Sequence, residues 1–80
     1  MNKRLYLSNS LTPKELEVFF AIVEKGIFKT SALARKFFVS SATIRTHLQN
    51  IYTKLNINSM TELVYRYYNE KQISRNKNNN

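Results

Sequence analysis

Arg45, Thr46 and Gln49 fall at i, i+1 and i+4 in a segment whose apolar residues, Ile44, Leu48, Ile51 and Leu55, recur every three to four positions. On a helix these two sets take opposite faces, and the polar one carries groups able to read base edges. An arginine meets a guanine edge bidentately, a glutamine meets an adenine edge, and a threonine touches a thymine methyl or a phosphate. Ala42 lies near the N-terminal end of the same polar face. Just upstream, Ser40 and Ser41 offer hydroxyls and free backbone N–H groups at a helix start, a combination suited to gripping a phosphate. Against this stands the plain alternative that Arg45 and Gln49 are only solvated surface, because many small helical bundles share the spacing.

Other chemistry is closed off by what the chain lacks. There is no Cys, so disulfides, thiolate catalysis and Cys-based metal sites are excluded. The single His, His47, cannot build a multi-histidine metal site, and with no Asp no Asp–His catalytic arrangement can be assembled. A packing or phosphate-contacting role suits His47 better than catalysis. The expectation is a protein that is not an enzyme and needs no metal, cofactor or small-molecule ligand.

The elements that must position these residues are helices. Thr12-Pro13-Lys14-Glu15 combines a capping hydroxyl, a first-turn proline and a glutamate three residues on, which predicts a capping box. Leu16, Phe19, Phe20 and Val23 then mark an inward face, and Gly26 ends the helix in a left-handed turn spanning 26–29. Thr30-Ser31 offers the next cap, ahead of a short helix lined by Leu33, Ala34 and Phe37. Phe37 and Phe38 are read as core and core edge. Ser40-Ser41 caps a third helix over about 41–55, roughly 22 Å long, which stops at Asn56. Ser59-Met60-Thr61-Glu62 reads as a second capping box, opening a fourth helix over about 61–68 with Leu63, Val64 and Tyr67 inward. One glycine and one proline in 80 residues argue against a turn-rich β fold. The fold class is all-α, with four helices and a helix-turn-helix at 33–55.

The wording of four blocks resembles a known family. Leu11-Thr12-Pro13-Lys14-Glu15-Leu16-Glu17-Val18 looks like the opening of the LuxR/FixJ/GerE-type DNA-binding domain. Ser40-Ser41-Ala42-Thr43-Ile44-Arg45-Thr46-His47-Leu48 looks like its recognition helix. Asn50-Ile51-Tyr52-Thr53-Lys54-Leu55 and Ser59-Met60-Thr61-Glu62 continue the match in order, so the resemblance covers about residues 11–68. It implies a tetrahelical transcription-regulator domain of bacteria whose third helix enters the major groove. Arg45, Thr46 and Gln49 match positions that face bases, while Thr43, Asn50 and Lys54 match positions that meet the sugar-phosphate backbone. With Ser40, Ser41 and His47 these complete the expected backbone contacts. Glu15 matches an acidic residue that holds the fold. The fourth helix matches a dimerising surface, for which Leu63, Val64, Tyr67 and Tyr68 are the candidates in a homodimer. Double-stranded DNA is the implied partner, with RNA polymerase as a possible protein partner.

Departures from the family pattern bear on the target sequence more than on the fold. Ser41-Ala42 stands where an acidic-plus-basic pair is common, the turn 26–29 is one residue longer, Asn56 replaces a common glycine, and Met60 a common basic residue. Residues 1–10 form an N-terminal arm, 11–70 the domain, and 71–80 a polar, frayed tail. With no sensory domain ahead of the motif, the expectation is a stand-alone, GerE-like regulator if Met1 is the native start, and otherwise an excised C-terminal domain.

Charge supports the same direction. The formal net charge is +8 with a pI near 10.1, and residues 25–61 carry Lys25, Lys29, Arg35, Lys36, Arg45 and Lys54 with no acid. No apolar run approaches the roughly 20 residues of a membrane span, and no export signal opens the chain, so a cytoplasmic protein is expected. Two further classes stay open: a protein-interaction module that masks a related regulator's dimer face as an anti-activator, and a charge-driven membrane-surface protein. The last lacks a broad apolar helix face behind its cations. Tyr65, Tyr67 and Tyr68 could stack on bases, although their helical spacing fits core and dimer contacts better.

Overall fold

The computed structural model describes residues 10–79, with side chains described as far as Lys71. The expected N-terminal arm therefore lies outside the described residues apart from Ser10. Four helices follow in order: α1 Pro13–Val23, α2 Thr30–Phe37, α3 Ser41–Leu55 and α4 Met60–Asn79. There is no strand among the described residues. The all-α, four-helix fold is as expected.

The start of α1 follows its sequence signal. Glu15 N–H donates to the Thr12 hydroxyl at 3.2 Å, and Thr12 N–H donates to the Glu15 carboxylate at 3.0 Å, which satisfies two otherwise orphaned donors. At the far end Gly26 takes φ 69°, a conformation open to glycine without a Cβ clash. Gly26 and Ile27 N–H groups then close onto the Ile22 and Ala21 carbonyls.

α2 departs from expectation at its start and in the side chain that follows it. Its cap position is Lys29, with no side-chain cap bond, and Thr30 is already the first helical residue; the helix begins one residue too early for the Thr30 hydroxyl to cap it. At its C-terminus Phe38 is left-handed at φ 58°, its N–H reaching the Arg35 carbonyl and Val39 N–H the Ala34 carbonyl. This closing pattern turns the chain back sharply and throws the Phe38 ring into solvent, 93% exposed. Phe38 is thus not core edge, while Phe37 does pack against the core.

Ser40 caps α3 by accepting from Thr43 N–H at 3.1 Å. Asn56, left-handed at φ 58°, ends it with Ile57 N–H bonded to the Tyr52 carbonyl. α4 opens on half of the expected capping box. Glu62 N–H donates to Ser59, but the Glu62 carboxylate accepts from Asn58 N–H rather than from Ser59. The helix passes the expected stop near Tyr68 and carries residues 71–79, read from sequence as a frayed tail. No glycine or proline interrupts that stretch, so nothing in it breaks a helix already nucleated by packing.

The core gathers all four helices. Ile44, Leu48, Ile51 and Leu55 of α3 are all buried, with Leu33 and Ala34 of α2 and Leu63 and Tyr67 of α4. On α1 the inward face is wider than periodicity implies: Val18 and Ile22 are fully buried, while Leu16 and Phe20 are only half-buried. α1 packs against both α3 and α4, so two stripes of it are covered. Tyr67 and Tyr68 fasten α4 to the end of α1. The Tyr67 hydroxyl donates to the Glu24 carboxylate at 2.7 Å and the Tyr68 hydroxyl to the Val23 carbonyl at 3.1 Å. The second bond supplies a partner for a carbonyl that the helix end leaves orphaned.

Candidate nucleic-acid interface

With Ile44, Leu48, Ile51 and Leu55 buried, the opposite side of α3 is fixed in solvent. Arg45, Thr46, Gln49 and Asn50 are exposed there. At about 100° per residue, Ala42, Arg45, Thr46, Gln49 and Thr53 fall within one third of the helix circumference. Asn50 stands at its margin. The structure thus brings the three expected base-facing residues onto one exposed stripe. It also adds Thr53, which sequence reading missed although it lies i+4 from Gln49 and i+7 from Thr46.

The phosphate-gripping candidates separate into those with free groups and those already engaged. The Ser40 hydroxyl accepts from Thr43 N–H, and its oxygen lies 3.1 Å from the Thr43 hydroxyl. Ser41 and Thr43 are half-buried, and the N–H groups of Ser41 and Ala42 have no partner among the described residues, as befits a first turn. These two amides, with the positive end of the α3 dipole, form the anion-facing part of the unit. His47 is half-buried at the edge of the outward stripe. Replacing Ser40 with alanine is expected to lower stability by about 1 kcal/mol, the usual loss of a cap, read as a lower urea midpoint with unchanged slope.

Lys54 is placed differently. Its ammonium donates to the Glu15 carboxylate at 2.8 Å, joining the C-terminal turn of α3 to the first turn of α1 across 39 residues. Glu15 is only 3% exposed. Burial pushes its pKa up, but the Lys54 ammonium and the bonds with Thr12 outweigh this and hold it below the ordinary carboxylate value. About a third of the Lys54 side chain remains accessible, and two of its three donors are left for an incoming anion.

Apart from Glu15 beneath Lys54, the charge of the segment 25–61 is one-signed. Lys25, Lys29, Arg35, Lys36, Arg45 and Lys54 are all exposed, and the nearest acids in sequence, Glu24 and Glu62, flank the segment from outside. The described residues hold no cluster of His, Cys, Asp or Glu able to bind a metal ion.

The candidate dimer residues divide. Leu63 and Tyr67 are spent on the chain's own core, Val64 is half-buried, and Tyr68 is half-exposed. The outward surface here includes an open apolar groove lined by Phe28, Met60, Thr61, Val64 and Tyr65. Of these, Phe28 comes from the α1–α2 turn, and its nearness to α4 could not be read from local sequence.

The fold and this outward-facing helix define a helix-turn-helix domain, and comparison with known proteins agrees. Residues 9–67 match the family described as bacterial regulatory proteins of the luxR family (GerE). The chain belongs to that family and has its all-α helix-turn-helix fold. It is similar to a "Putative HTH-type transcriptional regulator" of Mycobacterium bovis, at 40% identity over 55 residues, covering 69% of this chain and 6% of the relative. Proteins of the same description and identity occur in Mycobacterium tuberculosis strains CDC 1551 and H37Rv. The chain therefore spans about one sixteenth of the length of these relatives. No solved structure matches it. No described helix is long and apolar enough to cross a membrane.

Proposed function

We propose that this domain binds a specific duplex DNA site as a homodimer, acting as a transcription regulator in the bacterial cytoplasm. The observation that carries this reading is the exposed stripe Arg45, Thr46 and Gln49 on α3, set in a segment, residues 25–61, that bears six exposed cations and no acid of its own. In this reading α3 enters the major groove, and those three residues meet base edges. Ser40, Ser41, Thr43, His47, Asn50 and Lys54 meet the sugar-phosphate backbone and set the register. Two copies meet through α4, with Val64 and Tyr68 at the surface and Leu63 and Tyr67 behind them. The apolar groove that includes Tyr65 and Phe28 lies on the same side of the molecule and supports that choice of face. RNA polymerase is the protein partner such a regulator would engage once on DNA.

In vitro selection from a random duplex library tests the reading. An enriched motif with two half-sites about 34 Å apart, one helical turn, supports it. Recovery of only sequence-blind, salt-sensitive binding would leave charge alone as the explanation. No DNA binding with retained capture of a related regulator would favour the anti-activator.

Lys54→Ala separates the two roles placed on this residue. Binding to every sequence is expected to weaken alike, with the salt dependence flattened by about one charge. The melting temperature is expected to fall as well, because the Glu15 carboxylate stays buried without its ammonium. An unchanged salt slope with a lower melting temperature would confine Lys54 to the fold.

A further inference from the structure

Phe38 is retained against two costs. Its backbone is left-handed, φ 58°, where a residue with a Cβ is strained and glycine is not. Its ring is 93% exposed, by far the most exposed of the large apolar residues described. Packing does not recover these costs, because the residue is almost wholly in solvent and is not among those packed on the core. Only the backbone N–H, which any non-proline residue supplies, is used, in closing α2.

Its place gives the ring a use. Phe38 lies two residues before Ser40, the cap of α3, so its Cα stands within about 7 Å of the cap. A DNA strand whose phosphate meets the Ser41 and Ala42 amides passes within reach of the ring. The surface around it carries Arg35 and Lys36 on the preceding turn and Arg45 on α3, with no acid anywhere in 25–61. That charge selects a polyanion over an acid-poor protein surface, and an aromatic ring among phosphate-directed cations has apolar DNA surface to cover: thymine methyls and deoxyribose faces.

We infer that Phe38 is an additional DNA contact, an apolar one, by which the turn of the helix-turn-helix seats against the duplex beside the first turn of α3. This rests on the DNA-binding reading above and adds to it a residue outside the recognition helix. The contact is uncharged, so its contribution is independent of salt, unlike that of the surrounding cations.

The test uses the whole chain and the duplex selected by the parent protein. Phe38→Gly relieves the backbone strain and removes the ring, and Phe38→Asn keeps a residue that tolerates the left-handed turn while removing the apolar surface. Both are expected to melt no lower than the parent, yet to bind about tenfold more weakly, the worth of partly burying such a ring. The salt slope should stay that of the parent. Replacing thymines with uracils at the motif's edge, which deletes only the methyls, weakens the parent but not Phe38→Gly if the ring sits on a methyl. If it sits on deoxyribose, both respond alike to the replacement while the tenfold gap between them remains.

Either variant binding the selected duplex as tightly as the parent overturns the inference, including the case where binding to a second protein is lost instead. A Phe38→Gly protein that melts below the parent overturns it too, by giving the ring a role in the fold. If the parent selects no motif at all, the DNA-binding reading itself fails. If the parent selects a motif that Arg45→Ala loses and both Phe38 variants keep, only the role of Phe38 falls.

Discussion

Glu15→Ala is expected to cost about 2 kcal/mol of stability, a large share of the 5–15 kcal/mol that holds a domain together. Two losses combine. The capping box of α1 loses its return bond to Thr12 N–H, worth about 1 kcal/mol, and Lys54 loses the acceptor that joins α3 to α1. The second loss is discounted, because a third-exposed ammonium finds water in place of the carboxylate. For a domain of this size the sum corresponds to a fall in melting temperature of about 10 °C. A double-mutant cycle with Lys54→Ala isolates the pair, with a coupling of about 1 kcal/mol expected. Strictly additive single losses would show the ion pair to be idle.

The same group sets an acid limit. Its folded-state pKa lies below the ordinary value of 4.5, so the unfolded chain takes up its proton first as pH falls. The stability Glu15 contributes is therefore fully present above the ordinary carboxylate pKa and is lost as pH drops through the lower, folded value. Melting temperatures measured from pH 7 down to pH 3 are expected to fall less steeply in Glu15→Gln than in the parent. Parallel curves would place the acid sensitivity elsewhere.

Arg45→Ala is expected to have the largest effect on recognition. Loss of a bidentate contact to a guanine edge costs about 1–3 kcal/mol, roughly tenfold to over a hundredfold in affinity for the selected site. The preference at one base position of each half-site should relax, while binding to random duplex changes far less. Arg45 is exposed and makes no ion pair among the described residues, so the melting temperature should not move. That combination distinguishes a reading residue from a structural one. A variant that keeps the parent's motif and affinity would remove Arg45 from the base-facing set.

Much of this arrangement is legible in local sequence because local rules dictate it. The reciprocal bonds of Thr12 and Glu15, the Ser40 cap, the left-handed Gly26 and Asn56, and the four buried residues of α3 each follow from residue type and spacing within a turn or two. Legibility fails where a neighbour far along the chain decides. Val18 and Ile22 are core on an α1 that packs against both α3 and α4, which the period of α1 alone cannot express. Glu15 meets Lys54 39 residues away, and Phe28 meets α4. Phe38 misleads for another reason. Its type says core, but the turn required at that point assigns it a left-handed backbone, and geometry overrides hydrophobicity. On α4 the polar composition past Tyr68 reads as an end to the helix, but with no glycine or proline the backbone continues.

The chain owns one glycine and spends it between α1 and α2, whereas the two left-handed turns that bracket α3 are built from Phe38 and Asn56. Residues with side chains have fewer backbone states to lose on folding than glycine has. Freedom is therefore rationed where the reading helix begins and ends, and concentrated at the joint behind it. A helix held in this way meets its target already ordered, so little of the free energy of association is consumed in arranging it. In the duplex binding proposed above, such preorganisation would add to affinity independently of any contact its residues make.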